Sequence, residues 1–357
     1  MKINIKKDQM TKDERWTALL QRKPLDRVPV YAFAHGFCGV HSGLGLADVY
    51  SSPLKTFNAI TSVSKKFGWQ DLPIICYAAT GAWEFGGDIQ MPENKYDQAL
   101  KVTRRPVSKP EDIDSLMIPD VQTAGIYPLA MEVSKLQATS GEGLIMVQVS
   151  GPWALACNIC GVENIARWAL KSPHLVHKIQ EKVLPFSISV LDYWVKTFGA
   201  ERIFPWVGGA ALANNSLISP RMFSEFVLPY MKKLYNAAHR MKFKHLYIHI
   251  CGEQNMNLPF WAQLDYGDPG ILSFGTEVKL ETAGKMFPKD IIMGNIDTGV
   301  LLNGTPDQVY KLTNETIEEG KKCPGGFMLA PGCEMPPNAP EENMWAMMQA
   351  VSDFGFY

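Results

Sequence analysis

The stretch HLYIHICGEQ, residues 245–254, decides how the chain is read. Its centre is apolar and it stops at Gly252, the pattern of a short strand buried on both faces of a parallel sheet. Working outward, similar apolar runs bounded by turn residues recur, giving eight in all: 28–33, 72–77, 144–149, 203–207, 243–250, 271–274, 291–296 and 327–330. Helical patterns lie between them. Segments 53–67 and 220–241 carry polar residues on one side, and Thr305-Pro306-Asp307 opens a helix to about 322, with Thr as N-cap and Pro at the first helical position. Strands alternating with helices predict a parallel α/β architecture. Eight of them predict closure into a single (β/α)8 TIM barrel with an N-terminal helical extension. No GxGxxG follows an early strand, and the glycines from Gly36 to Gly45 are spread too widely to cradle a pyrophosphate. No repeat or low-complexity linker divides the 357 residues, and 104–120, with Pro106, Pro110 and Pro119, reads as a loop crossing the outside of the barrel.

Composition narrows the function. With 46% hydrophobic and 20% charged residues and a net charge of -1, the chain lacks the basic footprint of a nucleic-acid binder. No apolar run approaches the roughly 18 residues of a membrane span. The opening MKINIKKDQMTKDERW is charged throughout, without the apolar centre of a signal peptide. The expectation is a cytoplasmic protein that binds neither nucleic acid nor membrane. Seven cysteines, an odd number, point to reduced thiols rather than a disulfide framework.

Two of those thiols stand out. In an extended strand, residues two apart share a face, so His249 and Cys251 point the same way at the end of their strand. Strand ends of this kind line the mouth of a barrel, and imidazole nitrogen with thiolate sulfur is a donor pair that suits zinc. The bland alternative is a His and a Cys packed into the barrel wall. Cys333, in LAPGCEMPPNAPEEN (329–343), follows the last predicted strand and reaches the same rim, which would close a His/Cys/Cys site. Three protein ligands leave one position open, the catalytic pattern. Glu277, just after the sixth strand, is a candidate fourth ligand, weighed against a helix-start glutamate favoured by the dipole. Glu253 ranks lower because it should alternate outward past Gly252. Cys157-x-x-Cys160 has no second CxxC to complete a zinc ribbon and reads as core, as do Cys38, Cys76 and Cys323 and the methionine-rich MWAMMQAV (344–351). His35, Trp83, Glu84, Trp153, Trp206 and Asp297 fall at or beyond predicted strand ends and are candidate pocket residues, half of them expected to touch substrate.

HICG followed by PGCEMPPNAPEEN resembles the His-x-Cys…Cys zinc motif of corrinoid-dependent methyltransferases in the uroporphyrinogen decarboxylase superfamily. SGPWALA (150–156), MGNIDTGVLLNGTPDQV (293–309) and KDERWTALLQRKPLDRVPV (12–30) extend the likeness nearly end to end. The resemblance implies one (β/α)8 domain over 1–357, and a zinc ion on His249, Cys251 and Cys333. It also implies transfer of a methyl group between a small substrate and the cobalt of a corrinoid (cobalamin). That corrinoid would arrive on a separate protein, since no Asp-x-His-x-x-Gly motif is present here.

Three alternatives are set beside this reading. A uroporphyrinogen decarboxylase would need an arginine cluster for its eight substrate carboxylates, yet the stretch AFAHGFCGVHSG (32–43) lies in a segment without Lys or Arg between Arg27 and Lys55. A methylcobamide:coenzyme M methyltransferase proper would want a cation at the rim for a sulfonate, and none is identifiable. A non-enzymatic corrinoid-protein partner would hold zinc in a closed, four-ligand site. The aromatic lining favours a methyl ether, a methoxylated aromatic undergoing O-demethylation, over a small anionic thiol.

Overall fold

A computed structural model describes residues 3–94, 97, 99–141 and 143–357. Eight strands are defined among these residues. β1 (Asp88–Gln90) and β2 (Lys101–Arg104) form an antiparallel hairpin within the region read as an outer loop. β3 (Ile145–Ser150), β4 (Ile203–Gly208), β5 (Tyr247–Ile250), β6 (Ile271–Phe274), β7 (Ile291–Ile296) and β8 (Phe327–Pro331) form one parallel sheet in chain order. Helices cross between them, as single-step parallel connections require. The long ones are Pro173–Phe198 before β4, Leu228–Arg240 before β5 and Pro306–Gly320 before β8. The segment read as a helix over 220–241 is continuous but not uniform, with a π-helical turn at Phe223–Val227.

The first two predicted runs are extended but are not regular strands. Val30 bridges Leu329 of β8 in parallel, and Tyr31 bridges Gln70 on its other side. Pro29 and Pro73 each remove a donor from these short runs, which leaves single bridges in place of ladders. No backbone pairing joins 72–77 to β3 among the described residues. Side chains close the ring instead. Leu72, Ile74 and Cys76 share one buried cluster with Tyr31, Met146, Phe204, Trp206, Tyr247, Met293, Met328 and Ala330. The alternate residues of the same strands, such as Val147, Val207, Ile248, Leu272, Ile292 and Leu329, pack outward in the larger core beneath the helices. The inner cluster is the filled interior of a TIM-type barrel.

The N-terminal helix Lys12–Leu20 plugs the bottom of this interior. Thr11 and Glu14 form a capping box, and Trp16 meets Phe204 edge-on at 5.4 Å. The buried Arg15 side chain is tied to Asp26 at 2.6 Å. Burial opposes ionisation of Asp26, yet bonds from Arg15 and from the backbone of Met10 and Arg27 hold its carboxyl well below the usual range. No helix of the described residues is long and apolar enough to cross a membrane.

A carboxylate with a depressed folded-state pKa stabilises above its unfolded pKa and loses that contribution as pH falls. Asp26→Asn should therefore cost about 2 kcal/mol at pH 7, because it leaves buried Arg15 with only the more exposed Asp8, at 2.9 Å, as its counter-charge. The difference from wild type should shrink below about pH 4. Urea midpoints from pH 7 down to 3 measure this, and a pH-independent difference would refute the assignment.

Candidate metal centre

Residue parity builds the site. Gln148, Trp206 and Tyr247 are in register and belong to one inward-facing layer. His249 and Cys251 stand above Tyr247 by the same alternation. Gly252 then takes φ +77°, a turn that glycine makes without strain, and the chain leaves the strand direction. Beyond it Glu253 is spent on its own loop, accepting from the backbone and side-chain amides of Asn255. On β8, Pro331 ends the strand and the Gly332 amide donates to Ile296 O at 2.7 Å, which delivers Cys333 to the same mouth.

The ligand atoms of His249, Cys251 and Cys333 lie within 4.8 Å of one another. His249 Nδ1 is 2.9 Å from Ser273 Oγ on β6, and Ser273 is itself hydrogen-bonded to the buried Tyr247 phenol. With Nδ1 so held, the free lone pair lies on Nε2. That Nε2 is buried and has no partner among the described residues. Between the sulfurs, the Cys251 thiol donates to Cys333, and this bond together with burial pushes its pKa far up. Cys333, accepting that bond and lying beside the His249 imidazole, is drawn well below the usual thiol range. An orphaned imidazole nitrogen beside a thiol–thiolate pair is a donor set that fits zinc, with room for one further ligand.

Glu277 is exposed, and its carboxylate lies over Gly275 beside Cys251, outside the three-donor group. A Cβ on Gly275 would stand 2.5 Å from that carboxylate and 3.3 Å from Cys251 Cα.

A cavity of about 290 Å³ opens in front of the donors. Of the six pocket candidates, His35 and Trp206 line it. Trp206 stacks on Tyr247 and receives the edge of Phe33. His35 is buried with Nε2 3.2 Å from both Tyr50 Oη and Glu334 Oε1, and burial lowers its pKa to about 4, so the ring is neutral near pH 7. The other four are not among the lining residues. Trp83 packs half-buried against the outer core. Buried Glu84 accepts from Tyr77 Oη and the amides of Gly81 and Ile126, which fixes two loops. Trp153 donates to Leu212 O, and Asp297 caps the helix Thr298–Asn303. Trp153 still shapes the cavity indirectly, since it holds Leu212 in the wall.

Sequence reading missed Phe33, Gln148, Asn158, Leu212 and Glu334. Two of these carried a signal: Gln148 is the polar residue inside IMVQV, and Asn158 the polar residue inside ALACNIC. Cys157 and Cys160 beside Asn158 are buried, and burial pushes both thiols up.

The fold and these donors define a TIM-type barrel with a His/Cys/Cys cluster at its C-terminal mouth, a class to which comparison with known proteins adds a family. The uroporphyrinogen decarboxylase (URO-D) model matches residues 11–354. A methylated-thiol–coenzyme M methyltransferase of Methanosarcina mazei is 29% identical over 71% of this chain and 65% of its own length. A methylcobamide:CoM methyltransferase of Methanosarcina barkeri is 24% identical over 97% of this chain and 99% of its own. Among solved structures, a methyltransferase from Methanosarcina mazei superposes with TM-score 0.80 at 22% identity, covering 97% and 99% of the two chains. The chain belongs to the uroporphyrinogen decarboxylase family and groups within it with the methyltransferase branch.

The donor geometry predicts about one zinc per purified chain by elemental analysis. It also predicts loss of that zinc in the Cys251→Ala/Cys333→Ala double variant. Ser273→Ala, which frees Nδ1, should weaken zinc retention against a chelator by roughly 10-fold or more. Full zinc occupancy in the double variant would overturn the site.

Proposed function

We propose that this protein is a zinc-dependent methyltransferase. It moves a methyl group between a small substrate and the cobalt of a corrinoid carried on a separate protein, within one (β/α)8 domain. The observation that carries the reading is the three-donor cluster, with His249 Nε2 unpartnered, opening on a largely apolar cavity. The relatives named as methyltransferases support it.

His249, Cys251 and Cys333 would hold the metal, and Glu277 stands near enough to be a fourth, exchangeable ligand. Zinc bound there supplies mild Lewis acidity toward an ether oxygen or a thiolate sulfur. The remaining groups position and select. Ser273 fixes the imidazole so that Nε2 faces the sulfurs. Phe33, Trp206 and Leu212 exclude water from the space in front of the donors. Among the described residues no Lys or Arg lines that space, and Glu334 adds a carboxylate. A neutral methyl ether, such as a methoxylated aromatic, suits these walls better than a sulfonate-bearing thiol. The decarboxylation that gives the family its name fits them worst, because eight carboxylates would find no counter-charge. Helix His35–His41, where the first strand leads, supplies histidines and no arginine.

The test is methyl transfer to cob(I)alamin from a panel of methyl ethers, amines and thiols, followed by the cobalt absorbance. His249→Ala should stay folded by circular dichroism and lose about 10²-fold or more in rate, the scale of several kcal/mol from a Lewis-acid metal. Transfer unaffected by the substitution would sink the mechanism. Separately, incubation with uroporphyrinogen should release no CO₂ at an enzymatic rate; turnover there would reinstate the decarboxylase.

A further inference from the structure

The cavity has a second polar patch, two strands from His249, that the zinc chemistry does not use. Gln148 of β3 and Asn158 of helix Pro152–Cys160 are buried amides in its wall, 9% and 7% exposed. Asn158 Nδ2 donates to the carbonyls of Ala78 (3.3 Å) and Thr80 (2.9 Å). Carbonyls only accept, so the nitrogen is fixed there, and no hydrogen bond to Oδ1 is found among the described residues. Thr80 settles Gln148 in turn. Its one hydroxyl hydrogen goes to Tyr77 O at 2.6 Å, so its 3.3 Å contact with Gln148 Oε1 would set two acceptors face to face. Exchanging the amide oxygen and nitrogen, which have the same shape, removes that conflict. Nitrogen then donates to Thr80, and the oxygen turns to the cavity over Gly208. Gly208 makes the room: a Cβ there would come within 3.2 Å of the Gln148 amide.

We infer that Gln148 and Asn158 form a pair of acceptors that selects a methyl-bearing substrate with its own hydrogen-bond donor, the neutral hydroxyl of an aromatic ring. The donor class follows from two amide oxygens in a cavity that no described Lys or Arg lines, Arg105 being turned to the backbone carbonyl of Asn158, so a phenolate or carboxylate is disfavoured. The ring follows from the flanking Phe33 and Trp206. This deepens the methyltransferase reading and rests on it for the methyl group, but the subsite is read by binding alone.

Isothermal titration of the purified, zinc-bearing chain without corrinoid compares 2-methoxyphenol with 1,2-dimethoxybenzene, which differ by the one donor. The hydroxyl compound should bind about tenfold or more tightly, the worth of a good buried hydrogen bond. Gln148→Met, similar in volume, should bring the ratio close to one with zinc content unchanged. Gly208→Ala should lower it by crowding the amide while removing no polar group. Equal binding of the two compounds to wild type, or no measurable binding of either, overturns the inference. So does a preference that survives Gln148→Met. Methyl transfer with no preference would refute the subsite alone. A preference without any methyl transfer would refute the transferase reading and uphold the subsite.

Discussion

Everything at the mouth depends on the two-residue alternation of the strands inside a filled ring. Tyr247, His249 and Cys251 face inward because Ile248 and Ile250 are claimed by the helical layer outside. A slip of one residue in β5 would put both donors into the outer core and two isoleucines into the mouth. The neighbouring strands answer with small residues at the matching height: Gly208 on β4, Ser273 on β6 and Gly275 just beyond its end. Bulk there would close the cavity. The bottom of the same ring is capped by Trp16, beside a separate cavity of about 560 Å³ that Lys12, Trp16, Phe204 and His245 help to line.

Hydrogen-bond satisfaction separates the residues that hold the site from those that can act in it. Glu84, Trp153 and Asp297 are rim residues by sequence, yet their polar atoms are consumed by loop backbone. Buried nitrogens of His249, His35 and Trp206 keep no partner among the described residues, and all three residues line the cavity. A folded protein rarely leaves such groups unpaired without use for them. The contrast explains why chemical type alone does not separate the two candidates that line the cavity from the four that lie outside its lining.

Strand and helix order was largely legible because buried parallel strands are continuous apolar runs. β6 and β7 and the helix Pro53–Phe67 have the bounds expected from the sequence, and β3, β4 and β8 differ from expectation by a residue or so. The two proline-bearing runs were legible as extended segments, though their reduction to single bridges depends on local pairing. The three donors were legible because parity and strand ends are local properties. Gln148 and Asn158 were not, since whether a polar residue in an apolar run faces a cavity or a carbonyl depends on what packs across the ring. Their neighbour Thr80 comes from a turn far away in sequence.

Charge then connects the donors to the choice of substrate. Two thiolates and a neutral imidazole would cancel the charge of a divalent cation, which leaves a site with little long-range pull on anions. The described walls add no cation, and buried His35 stays neutral near pH 7, while Glu334 contributes a carboxylate. An anionic substrate would therefore be desolvated at this mouth without compensation, a penalty that grows with each carboxylate. The same balance weighs against a porphyrinogen polyacid and suits the neutral ether proposed above. The absence of Lys and Arg from 28–54 and the placement of Cys333 beside His249 and Cys251 act in one direction: the walls offer little to charge, and the reactive groups are gathered at one point.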